Sequence, residues 1–299
     1  MHYQICHTTL YTYNQLVFLK PHLLRLRPRC DAWQKLHHFS LEVTPEAAGI
    51  SFITDLDGNT LTKLWFTQPT EQLKLQVTTE IETYKSNSFD YLLEAWALKL
   101  PIDYPSSLLE QLKPYLQPYG FTPDPVATQL AQEIAHDVHG ETLSFLFTLN
   151  QRLYESCDYI IRETGDPLPA GITWNAKCGS CRDVTVLFME VCRAVGLAAR
   201  FVSGYQEGDL DQEERHLHAW VEVYLPGGGW RGYDPTHGLA VSDRHIALAA
   251  SASPNYAAPV IGHTTPVVSI LETGLPIESQ MEAHISIQIS SKGKRQKLV

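Results

Sequence analysis

The apolar residues of this 299-residue chain change period partway along it, and that change limits the fold more than any other feature. Over the first ninety or so residues they fall in short, largely alternating runs: Tyr3–Tyr13, Leu23–Pro28, Phe39–Val43, Gly49–Thr54, Thr60–Phe66 and Leu73–Thr83. Such alternation buries one face of a strand and leaves the other to water. Asp57, Gly58 and Asn59, between two of these runs, supply the turn of a hairpin. Beyond Pro125, which suits the first turn of a helix, Val126, Leu130, Ile134 and Val138 recur at helical spacing, and a second helix is expected from about Thr142 to Tyr154. The pattern implies an α+β protein that opens with an antiparallel, sandwich-like β domain over residues 1–90. Residues 91–125 hold short apolar pieces broken by Pro101, Pro105, Pro114, Pro118, Pro123 and Pro125, as a linker wrapped between domains would.

The second domain, residues 126–250, carries the chemistry. After a loop at Gly165–Ala176, a helix is expected over Arg182–Val195, where Val184, Leu187, Phe188, Val191, Cys192 and Val195 make a broad apolar face before Gly196 ends it. Cys181 then falls at a helix start, where free amide groups and the helix dipole favour a thiolate. Strands are expected at Ala198–Tyr205, Leu217–Leu225 and Trp230–Tyr233, the last two joined by the Pro226–Gly229 turn. His218 begins one arm of that hairpin and Asp234 ends the other, so the two are expected to be cross-strand partners. A thiol attacks a carbonyl as thiolate, an imidazole can hold its proton, and a carboxylate can fix the tautomer of that imidazole. Cys181, His218 and Asp234 therefore form the candidate catalytic set for acyl transfer. Trp220 is expected on the same face as His218, and His216 is the rival base. The Cys181 amide supplies one oxyanion donor, with Trp174 or Asn175 as candidates for the second.

Other readings of these residues are weaker. Cys178 and Cys181 share the spacing of a redox pair or half a zinc site. A redox fold would place a strand directly before Cys178, yet Leu168–Ala176 is rich in Pro, Gly and Asn; zinc would need His216 and His218 as an unusual pair one residue apart. No metal and no cofactor is expected. The six cysteines are too sparse for a disulfide scaffold and are expected to be free thiols, mostly buried. A net charge of -10 argues against a nucleic-acid partner. The one basic run, Lys292–Lys297, is expected to be a solvated tail. No leader-like N-terminus and no apolar stretch long enough to cross a bilayer is seen, so no membrane partner and a cytoplasmic location are expected. Residues 251–299 are expected to hold a loop, a strand at His284–Ile289 and that tail; Ala247–Ala258, rich in alanine, serine and proline, reads as a loose surface loop.

The segments Gly179–Asp183, Arg193–Tyr205, His218–Val223 and Trp230 with Asp234–Thr236 resemble the core of the bacterial transglutaminase-like superfamily, whose members include cysteine proteases related to papain-type enzymes. Thr9–Tyr13, Leu24–Pro28 and Asp57–Asn59 resemble the β domain that accompanies that core in bacteria. The resemblance implies a helix bearing Cys181 packed on an antiparallel sheet bearing His218 and Asp234, with Cys181 as nucleophile, His218 as base and Asp234 as its orienter. It implies a cysteine protease or amidase acting on peptide or isopeptide substrates. The alternatives are a transglutaminase or peptide-forming acyltransferase, or a non-catalytic peptide-binding module. No acidic loop resembles a calcium site. The chain departs from the pattern after His245, where relatives carry Gly-Arg-Asp-Tyr and this sequence has Ser253, Pro254, Asn255 and Tyr256.

Overall fold

A computed structural model describes residues 1–162, 164–208, 215–267 and 276–290. The first six strands are β1 (His2–Leu19), β2 (His22–Leu24), β3 (Gln34–Thr44), β4 (Gly49–Thr54), β5 (Thr60–Trp65) and β6 (Thr70–Thr83). The helices are α1 (Ser106–Leu116), α2 (Pro125–Asp137), α3 (Thr142–Ser156), α4 (Ala170–Ala176) and α5 (Cys181–Ala194). Between and after them run β7 (Asp158–Tyr159), β8 (Cys178–Gly179), β9 (Ala199–Gln206), β10 (His218–Leu225), β11 (Gly229–Asp234), β12 (Leu239–Ala240) and β13 (His245–Ser251). The last strands are β14 (Val260–Ile261), β15 (Thr264–Pro266) and β16 (Ser279–Ile289).

The β domain is two antiparallel sheets. One holds β3, β6 and β1 with β15 and β16 on the far edge of β1; the other runs β14-β2-β5-β4. Alternation along β1 turns Tyr3 and Ile5 inward and Gln4 and Cys6 outward, which is why Cys6 is exposed rather than buried. Cys30 is exposed as well, and only Cys181 and Cys192 are buried among the six free thiols. β16 takes up the expected C-terminal strand and pairs with β1 from Tyr3↔Ile289 to Tyr13↔Ser279, so the end of the chain completes the sheet that its beginning opened. The basic run at Lys292–Lys297 lies outside the described residues.

The sheet of the second domain runs β12-β11-β10-β9-β13, antiparallel throughout. α5 lies against it: Val186, Leu187 and Val191 share one buried cluster with Phe201, Ala219, Val221 and Val223. α5 stops where its sequence dictates. Gly196 takes φ 77°, Leu197 N–H reaches the Cys192 carbonyl at 2.9 Å, and Gly196 N–H reaches that of Arg193 at 3.0 Å. The proline-rich segment is a wrap that also packs, since Ile102, Tyr104 and Leu112 are buried in the same cluster as α5.

Two expected loops are regular structure instead. α4 occupies the second half of Gly165–Ala176, with Ala170 and Thr173 on its buried face. The alanine-rich segment forms β13, in which Ala249 and Ala250 are fully buried, followed by a 3-10 turn over Pro254–Ala257. A strand buried on both faces shows no alternation, and small residues are what its narrow slot admits. The outer edge of β13 is completed by side chains of the β domain. Gln34 donates to the Ala247 carbonyl at 2.7 Å and accepts its N–H at 2.9 Å; Asn59 does the same for Ala250 at 2.8 and 2.9 Å. Two primary amides thus stand in for a sixth strand, and a bulge between Ala247 and Ala249 sets the spacing that lets both reach.

Candidate active site

The start of α5 is fixed before any partner is considered. Ser180 is its N-cap, and Asp183 Oδ2 accepts the Ser180 N–H at 2.8 Å and its hydroxyl at 2.7 Å. Burial opposes ionisation of Asp183, but bonds from Leu168 N–H, Ser180 and Arg162 hold it below the usual carboxylate range. Arg162 reaches Asp183 Oδ1 at 2.5 Å, and Arg182 donates to the carbonyls of Arg162, Thr164 and Gly165. The loop after β7 is thereby tied to the helix start. Cys181 is the first helical residue, 7% exposed, and its amide is among those a helix leaves unpaired.

His218 opens β10 opposite Gly204 of β9. A side chain at Gly204 would meet the Ile246 carbonyl at 2.2 Å and the Trp220 ring at 2.5 Å, so the strand beside His218 must be bare. His218 Nε2 meets Asp234 Oδ2 at 2.8 Å, with the imidazole 8% exposed and the carboxylate fully buried. Cys181 stands close enough to the same imidazole to raise its basicity, and with Nε2 committed to Asp234 the nitrogen left to face the thiol is Nδ1. The expected register needs one correction. The β10–β11 ladder ends at Val221↔Tyr233, so Asp234 extends it toward Trp220, and His218 lies diagonally, two residues further on. Diagonal neighbours on one face remain within reach of an imidazole. Trp220 does lie beside His218, ring centroids 6.3 Å apart.

Charge follows from these contacts. Burial alone would lower the His218 imidazole, but the charge and hydrogen bond of Asp234, with Cys181 on the other side, raise it to about 10. Burial would raise Asp234, yet His218 and the bonds from His218, His237 and His245 hold it well below the carboxylate range. An imidazole that keeps its proton at neutral pH beside a thiol favours the thiolate.

His237 and His245 were not singled out by the sequence. The only available signal was their placement, one directly after the turn at Asp234 and one at a strand start. His216 lines the cleft but stands before β10, whereas imidazole contacts to Asp234 come from His218, His237 and His245. Trp174 packs against the helical core and Asn175 faces solvent, and neither lines the cleft onto which Cys181 opens. Tyr159 does line it, and burial, followed by the negative charge near Cys181 and Asp234, pushes its phenol up to about 12, so it stays a donor.

The cleft holds about 610 Å³ and lies between the two halves. Cys181 and His218 line it, together with Thr9 and Tyr11 of β1 and Met281 and Ala283 of β16. Among the described residues two groups have the spacing of metal ligands: His2, His37 and Glu82 on the β domain, and His218, Asp234 and His237 here. Neither includes a cysteine.

Comparison with known proteins agrees with this architecture. Residues 3–82 match the bacterial transglutaminase-like N-terminal region and residues 128–235 the transglutaminase-like superfamily. An uncharacterized protein of Mycobacterium leprae is 25% identical over 272 residues, covering 87% of this chain and 91% of the relative. A protein-glutamine gamma-glutamyltransferase of Pseudomonas aeruginosa is 32% identical over 127 residues, 39% of this chain and 19% of that enzyme. The crystal structure of a Cytophaga hutchinsonii protein described as a "putative cysteine protease" shares the fold, with TM-score 0.71 at 19% identity over 97% of this chain and 92% of the other.

Proposed function

We propose that this chain, which belongs to the transglutaminase-like superfamily and carries the bacterial N-terminal region of that family, performs thiol-dependent acyl transfer at amide bonds of peptide or isopeptide substrates. The observation that carries the reading is one buried imidazole bonded to a buried carboxylate and lining the same cleft as the thiol at a helix start. The Cys181 thiolate attacks the carbonyl carbon, and the resulting oxyanion is met by the Cys181 N–H, with the Tyr159 hydroxyl on the same cleft wall as a second donor. His218 then gives its Nδ1 proton to the departing amine, the C–N bond breaks, and a thioester remains on Cys181. Water activated by neutral His218 adds to the thioester, releases the acid and restores the thiol.

The one carboxylate among the described residues that line the cleft, Asp166, is solvent-exposed and shares the lining with Arg162 and Arg182, a poor hold for an incoming ammonium group, so hydrolysis is proposed over transfer to an amine. A non-catalytic binding module has no need for an ion pair buried this completely. The test is profiling of peptide libraries with wild type and Cys181→Ala, with and without a primary amine. Cleavage that needs Cys181 and yields free acid supports the reading. Amine incorporation in place of acid would shift it to transamidation, and no Cys181-dependent product would remove it.

A further inference from the structure

Three imidazoles converge on one oxygen of Asp234. His218 Nε2, His237 Nδ1 and His245 Nε2 lie 2.8, 2.9 and 3.1 Å from Oδ2, while Oδ1 accepts the Thr236 N–H at 3.1 Å. An ionised carboxylate has only lone pairs to offer, so all three ring nitrogens must carry hydrogen. The His245 tautomer is then fixed from both ends. Ser242 N–H points at its Nδ1 at 3.4 Å, and with Nε2–H on Asp234 the ring is neutral. Its side chain is 2% exposed and stands edge-on to Trp220, centroids 5.3 Å apart at 73°. His237 is 41% exposed, with its ring edge-on to His218 at 5.1 Å.

A cysteine–histidine pair needs one carboxylate contact to set the tautomer, and His218 supplies it. The other two donors come from separate elements, the turn after β11 and the start of β13. Neutral donors on a carboxylate favour its charged form and restrict its rotation. During acyl transfer the His218 Nδ1 proton leaves and returns, and the imidazole alternates between cation and neutral ring. A carboxylate tethered by His218 alone could swing or take up a proton each time that hold weakens.

We propose that His237 and His245 are positioning residues for acyl transfer at Cys181, pinning Asp234 Oδ2 from two further directions so that it keeps its contact with His218 Nε2 while the Nδ1 proton moves. This rests on the reading of Cys181, His218 and Asp234 as the acyl-transfer centre.

The test uses the whole chain and p-nitrophenyl acetate as acyl donor. The acetyl carbon bonds to Cys181 Sγ and the C–O bond breaks, releasing p-nitrophenolate, which is followed by absorbance while the acetyl-enzyme is followed by mass. His237→Ala and His245→Ala each slow acylation about tenfold or more, the scale expected for losing a hydrogen bond to a charge, with the half-saturating ester concentration within about twofold. His237→Asn places an amide N–H where Nδ1 was, and His245→Gln one where Nε2 was; each recovers most of the rate. His245 is buried and its alanine variant could misfold, so the exposed His237 pair carries the test by itself. His237→Ala acylating at the wild-type rate, or His237→Asn as slow as His237→Ala, overturns the proposal. If wild type forms no acetyl-Cys181 at all, the acyl-transfer reading fails first and takes this inference with it.

Discussion

Two sets of buried polar side chains meet β13, and they are built differently. At its first residue, His245 joins His218 and His237 on one ionised carboxylate. A few residues on, Ala247 and Ala250 are met by the neutral amides of Gln34 and Asn59. The amides replace a strand: each returns a donor and an acceptor to a backbone edge, and the result is a fixed register between two halves of the molecule. The imidazoles surround a charge, which burial makes expensive and which only several donors can sustain. Charge is concentrated where a proton has to move, and neutral pairing suffices where the requirement is only to hold.

The largest effect should follow from removing the charge. Asp234→Ala leaves three buried or half-buried imidazoles without their acceptor and should lower unfolding free energy by roughly 3–5 kcal/mol in urea titrations, with acylation of Cys181 falling by about a thousandfold or more. A stability loss no greater than that of an exposed substitution would show that the carboxylate is not the centre of its cluster.

Alkali attacks the same cluster more gently. The His218 imidazole is raised to about 10, so its contribution to stability is fully present below its ordinary value near 6.5 and is lost as pH rises through about 10. Asp234 behaves oppositely: held low, it contributes above its ordinary carboxylate value, and that contribution is lost only as pH falls well below it. Thermal melts of wild type and His218→Gln across pH 7–11 should converge toward the alkaline end. Parallel curves would contradict the pairing.

At the seam, Asn59→Ala strands the Ala250 N–H and carbonyl and should cost about 1–3 kcal/mol in unfolding free energy. Acylation by p-nitrophenyl acetate at 25 °C should stay near wild type in this variant. A rate loss well beyond the loss in stability would mean that the two clusters are coupled through β13 more tightly than their chemistry implies. Gly204→Ala sharpens the same comparison from between them. Its Cβ would press on the Ile246 carbonyl and the Trp220 ring, an overpacking cost of roughly 1–3 kcal/mol, and the displaced Trp220 should slow acylation as well.

The charged cluster was partly legible and the neutral one was not. Cys181 announces itself because a thiol, flanked by Ser180 and Asp183, sits where an apolar helical face begins, and His218 and Asp234 because a glycine turn brackets them in a hairpin. Their diagonal offset depends on where the ladder ends, which local pattern does not specify. His237 and His245 gave no signal because a histidine after a turn and one at a strand start are common, and their convergence needs β13 in place. β13 itself was hidden: with both faces covered, alanine and serine show no alternation, so Ala247–Ala258 looked like loop. Gln34 falls outside every expected strand and Asn59 reads as a turn residue, and their partners lie 213 and 191 positions along the chain. The strand at His284–Ile289 was legible as a strand, but its place beside β1 was not, since pairing between chain ends leaves no local trace.

The central claim is that Cys181 is a thiol activated by His218, and the most direct measurement is site-resolved alkylation. Wild type and His218→Ala are treated with iodoacetamide at pH 7, and modification at each of the six cysteines is followed by peptide mass mapping. Cys181 is 7% exposed whereas Cys6 and Cys30 are open to solvent, so accessibility alone would favour the other two. The account predicts that Cys181 reacts first in wild type and loses that lead in His218→Ala. Labelling that follows exposure, or a Cys181 rate that His218→Ala leaves unchanged, would contradict it.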